Sequence, residues 1–237
     1  MATPERIPAE RRRRRPTRSG SLLSAEAITE AALTLIEAPG GNALTVRRLG
    51  AALGCDPSAV YRYFPDADAV LLAVADRLIQ DSLEGFAPGG DWRDELRDFA
   101  HRLHRSMLTH PRLAAVRASR VTTGPAEARA VDIGIGILLR AGFPPDRAVR
   151  NYRLFVDTVL AQAAVDAAVL DLDEERREQQ GAAWTTHHAG LPAEEYPNLH
   201  AVRDHLALMA GALFPDLLEM VIDRFAGELD AGGGPLG

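Results

Sequence analysis

Residues 44–64 read Leu44-Thr45-Val46-Arg47-Arg48-Leu49-Gly50-Ala51-Ala52-Leu53-Gly54-Cys55-Asp56-Pro57-Ser58-Ala59-Val60-Tyr61-Arg62-Tyr63-Phe64. Their punctuation sets the local fold. Thr45 carries a side-chain acceptor where a helix begins. Leu49, Ala52 and Leu53 give that helix a buried side. Gly54 follows the last turn, where a left-handed residue closes a helix. Asp56 caps a second start, and Pro57 takes its first position, where a missing N–H costs nothing. Two short helices joined by Gly54-Cys55-Asp56 are held at a steep angle, as in a helix-turn-helix. On the second of them Val60 and Phe64 point inward, while Ser58, Ala59, Arg62 and Tyr63 lie outward near Tyr61. The same pattern also fits a small helical packing unit with a polar outer face.

Working outward, Ser24 caps an earlier helix with an apolar stripe of Ile28, Ala31, Ala32, Leu35 and Ile36, stopped by Pro39-Gly40-Gly41-Asn42. Asp66 caps a later one with Val70, Leu71, Val74, Ala75 and Leu78 inward. Beyond the Pro88-Gly89-Gly90 break, helical periodicity predicts helices over about 91–109, 112–121, 126–141, 146–172, 198–211 and 215–229, with 173–197 polar and irregular. No alternating strand of useful length appears. The expected fold is all-α: a three-helix DNA-binding-type head over 21–66, a larger helical domain over 67–230, a disordered basic arm over 1–20 and a loose Gly-rich tail over 231–237.

The charge is unevenly spread. Residues 1–64 hold 10 Arg against 6 acids, and the remainder 17 Arg against 27 acids, within a net charge of -6. A basic head on an acidic body points to phosphate contact by the head alone. Arg11 to Arg15 with Arg18 form a dense cationic arm leading into it, able to lie along phosphates or in a minor groove. The single Cys55 forbids an internal disulfide and fits a reducing cytoplasm. No apolar run approaches the roughly 18–20 residues of a membrane helix, so no membrane association is expected.

The stretch Leu44 to Leu49, then Leu53 to Phe64, resembles the DNA-binding domain of the TetR family, and the match extends over about 24–78. The resemblance implies contacts with double-stranded operator DNA from Thr45, Val46 and Arg47, and from Pro57, Ser58, Ala59, Tyr61, Arg62 and Tyr63. It implies a homodimer whose interface is built by the last two long helices, here 146–172 and 215–229, and a small-molecule effector. The family usually places a Lys near the start of the fourth helix; Ala67, between Asp66 and Asp68, stands there in this chain.

The 146–172 helix has two apolar sides. Tyr152, Phe155, Val156, Val159, Ala163 and Leu170 share one; Leu154, Ala161, Ala164, Val165 and Ala168 share the other. Between them, Asn151, Phe155, Thr158 and Gln162 form a mixed stripe suited to a small-molecule pocket, with Leu103, His104 and Met107 facing it from 91–109. Polar residues satisfied by neighbouring helices are the competing reading. Asp94, Asp98 and His101 share a face opposite the apolar stripe and read as solvated, so no metal or cofactor is expected. No nucleophile–base pair or phosphate loop supports an enzyme. The expectation is a ligand-responsive transcriptional regulator, with a ligand-independent architectural DNA-binding protein as the alternative.

Overall fold

Helix α1 (Ala25–Glu37) begins where Ser24 Oγ accepts the Ala27 N–H at 3.1 Å. α2 (Val46–Leu53) begins the same way, with Thr45 Oγ1 accepting from Arg48 N at 3.2 Å. α3 (Pro57–Val60) follows after a tight turn, and Asp66 Oδ1 accepts from Ala69 N at 2.8 Å to start α4 (Ala67–Ser82). The computed structural model describes residues 23–38 and 44–232. The basic arm over 1–20, the Pro39–Asn42 stop and most of the Gly-rich tail lie outside them.

The chain divides into two compact units between Val74 and Ala75. In the first, Ile28, Ala32, Leu49, Val60, Val70 and Val74 are fully buried. The inward side of α2 differs from expectation. Val46, Leu49 and Gly50 are buried and Leu53 is half-buried, whereas Ala52 is exposed. Positions 46, 49, 50 and 53 follow the i, i+3, i+4, i+7 rhythm of a helix face, and Ala52 falls off it.

The second unit contains α5 (Trp92–Thr109), α6 (Pro111–Ser119), α7 (Pro125–Arg140), α8 (Pro145–Leu170), α9 (Glu174–Ala182), α10 (Pro197–Ala201) and α11 (Phe214–Gly232). α8 packs against α5, α6, α7 and α11. Its inward seam is Tyr152, Phe155, Val159, Ala163 and Ala167, while Leu170 is exposed. Phe155 stacks on Phe99 of α5 with ring centroids 6.1 Å apart, and Ala163 and Ala167 meet Met107 and Ala114.

The segment expected to be irregular is largely helical: α9 leads into a π-helical turn (Ala183–His187) and a 3-10 turn (His188–Gly190). Capping explains it. Asp173 Oδ1 accepts from Arg176 N at 2.9 Å, and Gln179 donates to Glu175 one turn away at 3.1 Å. Conversely, the helix expected over 198–211 splits into α10 and a 3-10 stretch (Arg203–Ala210), where the Val202 N–H is shared between the Asn198 and Leu199 carbonyls.

Glu95 is a buried carboxylate that sequence periodicity did not single out. It accepts hydrogen bonds from Gly89 N and from Gly90 N, the latter at 2.6 Å, and pairs with Arg140 of α7 at 2.6 Å. It thereby fixes the Gly-Gly break to the end of α7. Glu95→Ala is expected to destabilise the protein by about 3 kcal/mol, because it strands two loop N–H groups and removes a buried ion-pair partner. Arg140→Ala, on the half-exposed side of the pair, should cost less. Urea unfolding of both variants measures this ordering.

Candidate nucleic-acid interface and ligand cavity

The turn between α2 and α3 is tight for local reasons. Gly54 adopts φ 63° and ψ 33°, a left-handed conformation that L side chains disfavour. The Cys55 N–H reaches back to the Gly50 carbonyl at 2.9 Å. Gly50 also permits close approach, since a Cβ there would lie 3.0 Å from the Cys55 carbonyl and 3.2 Å from the Pro57 ring. Asp56 Oδ1 accepts from Ser58 N at 2.8 Å, and the Ser58 hydroxyl first, then this N–H, hold the Asp56 carboxyl below the usual range. Burial pushes the Cys55 thiol up, with Asp56 adding to the effect, so the turn carries a thiol and not a reactive thiolate.

α3 is a single turn. Tyr61, Arg62 and Tyr63 continue it as turns, with Tyr63 N and Phe64 N both donating to the Val60 carbonyl, at 2.9 and 3.1 Å. Thr45, Arg47, Ser58, Tyr61, Arg62 and Tyr63 are exposed, and Pro57 and Ala59 are half-exposed. Val46 differs from the rest: its side chain lies in the core, which leaves mainly its backbone for outside contact. The Tyr63 hydroxyl donates to the Leu23 carbonyl at 2.6 Å, tying the turn after α3 to the start of α1. The Tyr61 side chain is free of that restraint.

Residues expected to share a pocket are mostly in packed helix contacts. Phe155 is fully buried, and Met107 lies in the alanine-rich contact between α6 and α8. Asn151 is buried and donates to Glu228 at 3.3 Å. His104 lies 2.8 Å from Asp166 and stacks on Phe214, and Gln162 donates to the other Asp166 oxygen at 2.7 Å. Thr158 donates to the Leu154 carbonyl at 2.7 Å. Leu103 alone among them lines a cavity of about 470 Å³ that opens one face further round α8.

That cavity is walled by Ile79 of α4, Phe99 and Leu103 of α5, Val131 of α7, and Val156 and Leu160 of α8. Its polar lining comes from Arg117, Thr122, Glu127 and Tyr152, with Arg120, Arg153 and Asp157 also contributing. One wall is hydrogen-bonded to α4. Asp76 accepts from Thr122 Oγ1 at 2.9 Å, from Glu127 N at 2.9 Å and from Ala126 N at 3.2 Å, so an α4 carboxylate caps α7. Ser106 Oγ donates to the Leu78 carbonyl of α4 at 3.3 Å.

Comparison with known proteins agrees with both units. Residues 28–74 match the family described as bacterial regulatory proteins, tetR family, and residues 85–223 match the tetracyclin repressor-like C-terminal domain. The tetracycline repressor protein class C of Escherichia coli is 31% identical over 179 residues, 72% of this chain and 77% of that protein. An HTH-type transcriptional regulator of Saccharopolyspora erythraea is 28% identical over 127 residues, and the match spans only about half of each chain, 54% in both cases. The crystal structure of ActR from Streptomyces coelicolor in complex with actinorhodin superposes with a TM-score of 0.77 at 24% identity, covering 91% of this chain and 99% of that one, and so shares the fold. With family matches to the head and to more than half of the chain beyond it, this protein belongs to the TetR family.

Proposed function

We propose that this chain is a transcriptional repressor that binds a palindromic operator as a homodimer and is released by a small-molecule effector. The observation that carries the reading is the outward row of Thr45, Arg47, Ser58, Tyr61 and Arg62, held on a turn too tight to leave its orientation free. Ser58 and Ala59 keep the leading end of α3 slim enough for a major groove. Arg62 suits a guanine edge, and Tyr61 suits a phosphate.

Two heads require two copies, and a second uncovered face supports this. Leu154, Val165 and Val169 of α8 and Met220 of α11 are exposed, Val165 and Met220 each 59%. Large exposed apolar side chains on two helices that pack together favour burial against a partner, and a second copy is the partner proposed. A cytoplasmic location goes with this reading.

The effector reading rests on the cavity. A volume of about 470 Å³ suits a drug-sized molecule, and related proteins bind such molecules: ActR was solved with actinorhodin bound. α4 lends Ile79 to the cavity wall and Asp76 to its capping loop, and its first residues belong to the head unit. A ligand that moves that wall therefore acts on α4. It shifts DNA affinity only through its differential affinity for the two states, a coupling of about 1–3 kcal/mol that is reciprocal.

On an operator selected from random DNA, Arg62→Ala is expected to relax preference at one base position and cost about 1–3 kcal/mol. Tyr61→Phe should weaken binding to all sequences alike. Unchanged binding by both variants removes α3 from the interface.

Deleting residues 1–20 should leave the fold and the dimer intact while weakening DNA binding, and should flatten the log–log salt dependence by about 0.9 for each phosphate that the arm neutralises. Salt titrations of both forms measure that slope. Identical slopes make the arm a solvated tail.

A further inference from the structure

Arg117 lies on the buried side of α6, one turn after Leu113, and is only 6% exposed. Nη1 donates to Ser106 Oγ at 2.8 Å. Among the described residues, neither Nε nor Nη2 has an acceptor, and no carboxylate pairs with the guanidinium. Burial pushes its pKa down to about 10, which leaves it protonated at neutral pH. A desolvated cation without a counter-ion is a costly thing to keep in a core, and this one lines the cavity.

The other charges of the wall are engaged elsewhere. Glu127 accepts from Thr122 N and from Thr123 N at 3.2 Å, and lies 2.6 Å from the Thr122 hydroxyl, whose one proton it shares with Asp76. Asp157 pairs with Arg153 at 3.3 Å, both well exposed at the rim. Tyr152 presents a hydroxyl with no hydrogen-bond partner among the described residues. Burial foremost, then Glu127 and Asp157, hold that hydroxyl in its protonated form, so it is available as a donor.

We propose that the cavity takes an amphipathic organic anion, its acidic group paired with Arg117 and hydrogen-bonded by Tyr152, its apolar skeleton against Ile79, Phe99, Leu103 and Val156. The proposal rests on the effector reading above and names the chemical class of the effector. It also gives the anion a route to α4, because Ser106, which holds Arg117, is itself bonded to the Leu78 carbonyl.

Two fluorescent probes of the same skeleton test it: anilinonaphthalenesulfonate, an anion, and phenylnaphthylamine, which lacks the sulfonate. The full chain is expected to bind the anion at least about tenfold more tightly than the neutral probe. Arg117→Met should abolish that margin, leave the affinity for the neutral probe within about twofold, and melt no lower than the wild type without ligand. Val156→Trp, which fills the cavity, should weaken both probes. Equal affinities in the wild type, or the same margin in Arg117→Met, overturns the anion while leaving the cavity a binding site. Binding indifferent to Val156→Trp, or no stoichiometric binding, overturns the anion and the cavity reading together. A fall of more than about 4 °C in the Arg117→Met melting temperature, with both probes unable to bind, makes Arg117 a structural residue and also overturns the proposal. If Arg117→Met does not fold, the wild-type comparison decides.

Discussion

The second unit depends on the burial of one seam of α8. Where the seam is alanine, at Ala163 and Ala167, α6 closes onto it through Ala114, with Met107 of α5 in the same contact. Where the seam is aromatic, at Tyr152 and Phe155, the partners are Phe99 and the body of the larger core. Small residues give close contact and large ones hold neighbours apart. The cavity lies between these regimes, with the C-terminal end of α6 and the segment after it along one wall. Burying the seam leaves Leu154, Val165 and Val169, on other sides of α8, partly exposed among the described residues.

Capping and turn chemistry are legible in the sequence because they act over a few residues. Ser24, Thr45, Asp56 and Asp66 cap where their side chains imply, and Gly54 takes the left-handed conformation its position requires. The outward set on α3 follows from the same local logic. The importance of Gly50 escapes a sequence reading because it lies in an approach to Pro57 that no helical period encodes.

The pocket is harder to read. Periodicity shows which face of α8 is covered, and it cannot distinguish a face covered by side chains from one bordering a void. Phe155, Asn151 and Gln162 are on a covered face and find partners there. Arg117 is legible in principle: a charge one turn after Leu113, on the apolar side of a short helix, breaks the pattern that burial dictates. The polar 174–182 helix escapes periodicity because its order comes from a cap and an i,i+4 pair, with no buried residue to mark it.

On the proposed function, reading DNA and sensing a small molecule make opposite physical demands, and the two units would divide them. The head has a tight turn, a restrained tyrosine and a polar exterior; the body has a cavity and a buried guanidinium, Arg117, with no carboxylate partner among the described residues. α4 contributes to both. The most direct measurement of the central claim is a nuclease footprint of the purified chain on DNA enriched from a random pool. The account predicts one bounded, palindromic site whose half-sites lie about one helical turn, ~34–36 Å, or a multiple apart. Protection that spreads without a boundary, or a pool that yields no shared sequence, would contradict it.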